Sequence, residues 1–332
     1  MTPASPTDGI APIASNDREL RSYAGQAARR FAPLAVLIGL LSALAAIEPS
    51  FLSPYAVNVL ADESSVILIL ATAQTVVILL GGIDLSMAAI ASLASVLIAL
   101  ALPAVGPSGI VGVLALATLI GAVQGFVHTR AQIPSVIVTL AGLGMWSGLA
   151  LTIAKTTIPV TAGYFAVGWL TRSSFGVPNS FSVALAALMV LAAALHLLPF
   201  GRHVYAIGMA ERATLLSGVR VGRVKILGFA LTGLFSGLAG LAMVARTSSG
   251  SPTIADSLLL PSIAAVVIGG TSITGGVGGL GRTLIGTMTI TVLRVGFATI
   301  GLDPAYEPIA YGVVVIAAAA LTIDHSKAHI VK

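Results

Sequence analysis

The stretch VVILLGGIDLSMAAI, Val76 to Ile90, decides how this chain folds. Both flanks are apolar enough to lie in hydrocarbon. At its centre stand two glycines, Gly81 and Gly82, and then the carboxylate of Asp84. A glycine costs about 1 kcal/mol relative to alanine inside a helix, so the pair marks the loosened end of one helix. Asp84 with Ser86 then stands where side-chain oxygens accept the free N–H groups that open the next helix, and the positive end of that helix favours an ionised carboxylate. The reading is a break between two apolar helices, held by an acid. Direct contact of Asp84 with a transported solute is the competing role.

The rest of the chain is built of the same material. Of 332 residues 57% are hydrophobic and only 9% charged, with a mean hydropathy of +1.02, whereas soluble domains carry about 25% charged residues. Apolar runs of about 17–20 residues, the length that crosses a bilayer as a helix, recur throughout. The fold class is all-α, a polytopic helical membrane protein. Ten segments can be drawn, near 31–47, 64–80, 87–105, 109–127, 135–154, 180–198, 226–245, 258–274, 281–300 and 308–323. Seventeen residues span only about 25 Å at helical rise, so some segments are short or interrupted. Eight crossings with two re-entrant segments is the alternative.

Charge sets the orientation. With the N-terminus inside, thirteen of the seventeen lysines and arginines fall in cytoplasmic pieces, as the positive-inside rule requires. Lys155, Arg172 and Arg246 fall outside and Arg294 within a span. Both termini are then cytoplasmic, and the pI near 9.8 reflects loop anchoring rather than nucleic-acid binding. Residues 1–30 read as a flexible tail, with Arg29 and Arg30 pinning the first span. Residues 31–323 form the membrane domain, and 324–332 a short C-terminal tail. The absence of cysteine excludes disulfides and thiolate metal sites.

Two further features need a role. The loop 200–225 contains AERATLLSG, a short amphipathic helix stopped by Gly218 with Leu215 and Leu216 available to a partner; the plainer reading is a basic loop that only sets topology. GGTSIT, residues 269–274, echoes GGIDLS, residues 81–86, each after a Val/Ile run. Glycine pairs at matching places in two halves of a transporter mark broken helices around a pathway, although small residues also serve plain helix packing. Gly81, Gly82, Asp84, Ser86, Gly269, Gly270, Thr271 and Arg294 are the candidates for helix breaks or pathway lining.

Three blocks, GGIDLS, GRHVYAIGMAERATLLSGVRVGRVKI and SIAAVVIGGTSITGGVGGLGRTLIG, resemble in order and spacing the membrane permeases of ribose-, xylose- and arabinose-type ABC importers. The likeness runs from about Asn58 to Asp324. It implies a bacterial inner-membrane protein in which two permease subunits, homo- or heteromeric, form the pathway for a ribose-like monosaccharide. A periplasmic sugar-binding protein delivers the sugar and a separate ATPase supplies energy. It also implies that AERATLLSG docks on the ATPase, with Glu211, Ala213 and Gly218 at the recurring positions. The chain departs from the resemblance in DSLLLPSIAAVV, where Leu259 and Pro261 replace polar residues, and at Arg294, where an amide is common.

The chemistry of the residues agrees with a translocation subunit that binds no cofactor itself. None of the four lysines (155, 225, 327 and 332) follows a glycine, so the phosphate-cradling GxxxxGK[ST] loop is missing, and ATP and magnesium belong to the partner ATPase. The five histidines are scattered (128, 196, 203, 325 and 329), with no spacing that suggests an enzyme or metal site. Two alternatives stay open: a branched-chain amino-acid-type ABC permease, and an ion-coupled secondary transporter that would use intramembrane charges such as Asp84 and Arg294.

Overall fold

The computed structural model describes residues 14–322, with twelve α-helices and four two-residue strands among them. The helices are α1 (Ala14–Ile47), α2 (Pro54–Leu79), α3 (Met87–Val105), α4 (Ser108–Arg130), α5 (Ser135–Ile153), α6 (Phe165–Gly168), α7 (Asn179–Leu197), α8 (Pro199–Leu216), α9 (Val221–Thr247), α10 (Leu259–Ile268), α11 (Leu280–Thr299) and α12 (Glu307–Thr322). Helix α1 begins at Ala14, within the stretch read from sequence as a tail; residues 1–13 and 323–332 lie outside the described residues.

Each of the ten apolar segments read from sequence coincides with a helix, but they are not equivalent. Six helices (α2, α3, α4, α5, α7 and α9) are long and apolar enough to cross a membrane. The segment 258–274 is the clearest departure from a full span. Its helix α10 has 10 residues, about 15 Å at 1.5 Å per residue, half of a hydrocarbon core of about 30 Å. The remainder, from Gly269 onward, is loop. A hydropathy window does not see this, because small and hydroxyl residues continue the apolar run beyond the helix end.

Helix α2 is the axis of the bundle. From Ser64 to Leu80 every side chain is buried, and α7, α9, α10 and α11 pack around it. A helix apolar on all sides has to be enclosed in this way or face lipid throughout. Helices α4, α5 and α7 lie outside and are mostly uncovered along their apolar windows. Their exposed Leu119, Ile137, Leu140, Met189 and Val190 make a lipid-facing surface. The chain is a multi-pass helical membrane protein.

Without a hydrophobic drive between helices in lipid, close backbone approach holds such a bundle together. Helix α4 lies on α9 through small residues at four-residue spacing, Ala117, Gly121 and Gly125. A Cβ added to Gly121 would sit 2.1 Å from the Phe229 carbonyl, and one added to Gly233 2.1 Å from that of Ala117.

Between α9 and α10 the chain is mostly irregular, with one 3-10 turn at Asp256–Leu258. Strand β4 (Ser249–Gly250) pairs antiparallel with β1 (Ile158–Pro159), while Ser173–Ser174 (β2) and Val177–Pro178 (β3) form a separate hairpin. Backbone that packs against a helix without regular structure needs other partners for its N–H groups, and two serines of α3 supply them. Ala255 N donates to Ser92 Oγ at 3.0 Å, and Ser251 N to Ser95 Oγ at 3.1 Å.

Candidate functional site

The α2–α3 break is built largely as the sequence suggests. Helix α2 ends in a left-handed glycine, Gly81, at φ +80°. Gly82 N donates to Val77 O and Gly81 N to Ile78 O, both at 2.9 Å, the paired bonds of a Schellman cap. Asp84 is fully buried and its Oδ1 accepts from Ser86 N at 2.8 Å and Ser86 Oγ at 2.7 Å. Ser86 precedes α3, but its hydroxyl makes no cap bond to the helix; it turns back to Asp84. The other carboxylate oxygen crosses to α9, accepting from Thr232 Oγ1 at 2.7 Å. Asp84 therefore ties the break to a neighbouring helix as well as turning the chain into α3.

Gln124 of α4 completes the knot. Its side-chain oxygen position lies 2.9 Å from Ser86 Oγ, and its Nε2 has no partner. Ser86 has one hydroxyl hydrogen, which the carboxylate takes, so the amide is best oriented with Nε2 donating to Ser86 Oγ. Around it, Ser135 Oγ accepts from Ile83 N at 3.1 Å and Thr139 Oγ1 donates to Ile83 O at 3.3 Å.

This geometry predicts what Asp84 tolerates. Asparagine keeps an oxygen toward Ser86. Its amide would donate to Thr232 Oγ1, whose own hydrogen is then free for Phe229 O, 2.8 Å away. Asp84→Asn should keep most folded protein and transport. Asp84→Leu removes three bonds to a charged acceptor, each worth about 1.5–3 kcal/mol, and should sharply lower the folded yield measured by detergent-stable size exclusion. Full folding of the leucine variant would show that the knot is dispensable.

The second break repeats the first in a shifted register. Helix α10 ends with Gly270 at φ +85°, and Gly270 N donates to Val267 O (2.8 Å) and Thr271 N to Val266 O (3.2 Å). Gly81 therefore corresponds to Gly270, one residue later than the alignment of GGIDLS with GGTSIT suggests, and Gly82 corresponds to Thr271. Gly269 is instead the close-packing residue: a Cβ there would lie 2.4 Å from Arg282 O. Arg282 Nη1 donates to Gly270 O at 3.3 Å, a cation at a helix C-terminus where it is favoured. Thr271 is buried and its Oγ1 accepts from Gly279 N at 3.4 Å, closing the loop back onto its start.

The two breaks touch each other, and α8 touches both. Gly276 N donates to Leu79 O at 2.9 Å, joining the second loop to the end of α2. Gly208 of α8 lies against this bond: a Cβ there would be 1.9 Å from Leu79 O and 2.3 Å from Gly276 N. Tyr205 Oη donates to Gly278 O at 3.3 Å.

Two residues later α8 kinks at Ala210 (φ −160°, ψ 84°), and Thr214 Oγ1 lies 2.9 Å from both Ala206 O and Ala210 O, straddling the bend. Past the kink Glu211 pairs with Lys225 of α9 at 2.7 Å, and Ala213 O accepts from Ser217 N at 3.0 Å. Gly218 supplies a third Schellman cap at φ +83°. Leu215 and Leu216 are 58% and 83% exposed. A groove of about 400 Å³ runs beside Leu215, lined also by Glu211, Lys225, His128 and Ile133.

Arg294 does not join this assembly. It lies twelve residues beyond Arg282 on α11, about 18 Å along the helix. There it pairs with Glu307 of α12 at 3.5 Å and Glu63 of α2 at 3.9 Å. The sequence reading missed Asp62 and Glu63, which stand just before its second segment, and their ion-pair partner Arg246. No local pattern connects positions 62, 246, 294 and 307. Among the described residues no three His, Asp or Glu side chains converge for a metal ion.

An enclosed central helix, two touching glycine breaks and a kinked helix keyed into both make up the core of a polytopic helical membrane protein. Residues 55–319 match the family model described as branched-chain amino acid transport system / permease component, and the chain belongs to that family. It is 36% identical over 306 residues to the ribose import permease protein RbsC of Bacillus subtilis (strain 168), covering 88% of this chain and 92% of the relative. RbsC of Escherichia coli (strain K12) is 34% identical, covering 89% and 93%. The fructose import permease protein FrcC of Rhizobium meliloti is 33% identical, covering 87% and 84%. No solved structure matches this chain.

Proposed function

We propose that this chain is the membrane-spanning translocation subunit of an ATP-driven, binding-protein-dependent importer of a monosaccharide. The proposed setting is the bacterial inner membrane, with both termini cytoplasmic, α8 on the cytoplasmic side, and ten helical segments of which α10 is a half-span. The relatives' names favour a sugar over an amino acid. The observation that carries the mechanism is α8: its C-terminal end exposes Leu215 and Leu216, while its middle is wedged at Gly208 against Leu79 and Gly276. An ATPase docked on the exposed end would push on the end of the central helix and on the α10–α11 loop together. A second permease subunit, this chain or a related one, would complete the pathway.

Polar atoms inside the bundle support a path there. Gln74 on α2, Ser236 on α9 and Thr287 and Thr291 on α11 are buried with side-chain atoms that meet no partner among the described residues. Such groups cost about 1–3 kcal/mol each when left unpaired, a cost that makes sense on helices that part to admit a polar solute.

The deciding experiment is uptake of radiolabelled D-ribose, D-fructose and L-arabinose into proteoliposomes holding the permease, its ATPase and its binding protein. One sugar should enter, only with ATP and the binding protein present. L-Leucine uptake with no sugar uptake would overturn the reading. In intact cells, a cysteine at exposed Ser217 should resist an impermeant thiol reagent and one at exposed Thr161 should react; the reverse pattern would overturn the topology.

A further inference from the structure

At the opposite end of the bundle from α8, a cavity of about 150 Å³ lies between α2, α7, α9 and the turn after α6. Its polar lining is Asp62, Ser65, Thr171, Ser180 and Arg246, with Leu170 beside them. At about 30 Å³ per water it has room for roughly five waters, enough for several hydroxyl groups of a small molecule. None of these residues belongs to the helix breaks or to α8.

The hydrogen-bonding state of this lining is specific. Ser180 Oγ donates to Asp62 Oδ1 at 2.6 Å, and Ser65 Oγ is committed to Asp62 O at 2.6 Å. Arg246 directs Nη2 to Glu63, and Glu63 also faces Arg294. Across the gap Arg246 Nε and Asp62 Oδ2 face each other 3.9 Å apart. That is beyond hydrogen-bond length, but one oxygen atom placed beside both would sit about 2.8 Å from each. A hydroxyl suits the gap, since it accepts from the guanidinium and donates to the carboxylate. A second hydroxyl can reach the cavity side of Thr171 or Ser180.

We infer that this cavity is a binding station for a neutral polyol on its way into the permease, with Asp62 and Arg246 gripping one hydroxyl between them. The inference rests on the reading of the chain as a sugar permease and adds the place and the groups that touch the sugar. The charges select against the main competitor. A zwitterionic amino acid needs its carboxylate beside a free guanidinium fork and its ammonium beside a separate carboxylate. Here Glu63 already takes Nη2 of the fork, and Asp62 stands 3.9 Å from Arg246 Nε, so an entering carboxylate would meet like charges on both sides. Arg246 and Arg294 face three carboxylates, Asp62, Glu63 and Glu307, so the cluster keeps one negative charge in excess, which disfavours an entering anion.

The test uses the reconstituted importer with radiolabelled D-ribose, D-fructose and L-arabinose, measuring sugar uptake and binding-protein-stimulated ATP hydrolysis in the same vesicles. Asp62→Asn is isosteric and keeps an acceptor for Ser180, but removes the anionic oxygen from the gap. Thr171→Trp fills the cavity from an exposed turn without touching the helix packing. Each should lower uptake at least tenfold while ATP hydrolysis stays within twofold of wild type, and Thr171→Ser should behave as wild type. The inference is overturned if both variants carry sugar within twofold of wild type, or if hydrolysis falls in step with uptake, which would mark a structural role. Wild-type vesicles that take up none of the three sugars, or L-leucine in their place, would remove the underlying reading and this station with it. Normal wild-type uptake with unaffected variants removes the station only.

Discussion

Gly208→Ala should sharply lower sugar uptake while leaving the ATPase bound. The added Cβ would lie 1.9 Å from Leu79 O and 2.3 Å from Gly276 N, and both are backbone atoms that cannot rotate away. Helix α8 would have to back off by well over ~1 Å to reach a tolerable separation, and the 2.9 Å bond from Gly276 to Leu79 lies directly in the way. The exposed Leu215 and Leu216 are unaffected, so docking should persist. Coupling free energies between sites run about 1–3 kcal/mol, or 5–150-fold, and losing this contact should cost uptake at least ~10-fold. Uptake, ATPase co-purification and folded yield are measured together. Gly148→Ala serves as the control, because its Cβ would meet nothing within 4 Å. If Gly208→Ala transports as well as Gly148→Ala, the wedge transmits nothing.

That wedge could not be read from the chain. Gly208 sits in GRHVYAIGMAERATLLSG as an ordinary glycine in a basic loop, and its partners are 129 positions earlier, at Leu79, and 68 later, at Gly276. What sequence reveals well is whatever repeats along the chain: the apolar lengths gave helices, and Gly81, Gly218 and Gly270 stand at helix ends because each has positive φ. It misleads where two residues of one kind adjoin. In Gly81-Gly82 the cap is the first glycine and in Gly269-Gly270 the second, and nothing in either pair shows which. Asp84 was legible in half its role. The turn onto Ser86 is local, at two residues' separation, whereas the bond to Thr232 spans 148 positions. The outer ion pairs follow the same rule, since their charges come from α2, α9, α11 and α12.

The second large effect is expected at the exposed end of α8. Leu216→Asp or Leu215→Asp should break co-purification with the ATPase while leaving the permease folded and inserted. Both side chains are more than half exposed, so neither holds the bundle together. Leu215 lines a groove of about 400 Å³, and arginines at 212, 220 and 223 lie nearby in the chain. Burying one leucine in a partner contributes about 2 kcal/mol, and more at a hot spot, or roughly 30-fold in affinity per residue. Sugar uptake should fall in proportion to ATPase recovery, with sugar binding to the periplasmic protein unchanged. Gly218→Pro is a poor probe for the same purpose. At φ +83°, with its N–H bonded to Leu215 O, that residue holds the helix cap, and proline's φ near −65° cannot replace it. The leucine variants separate contact from fold. If both retain the ATPase and transport normally, Leu215 and Leu216 are merely a solvated helix end, and the force on Leu79 and Gly276 has to arrive by another route.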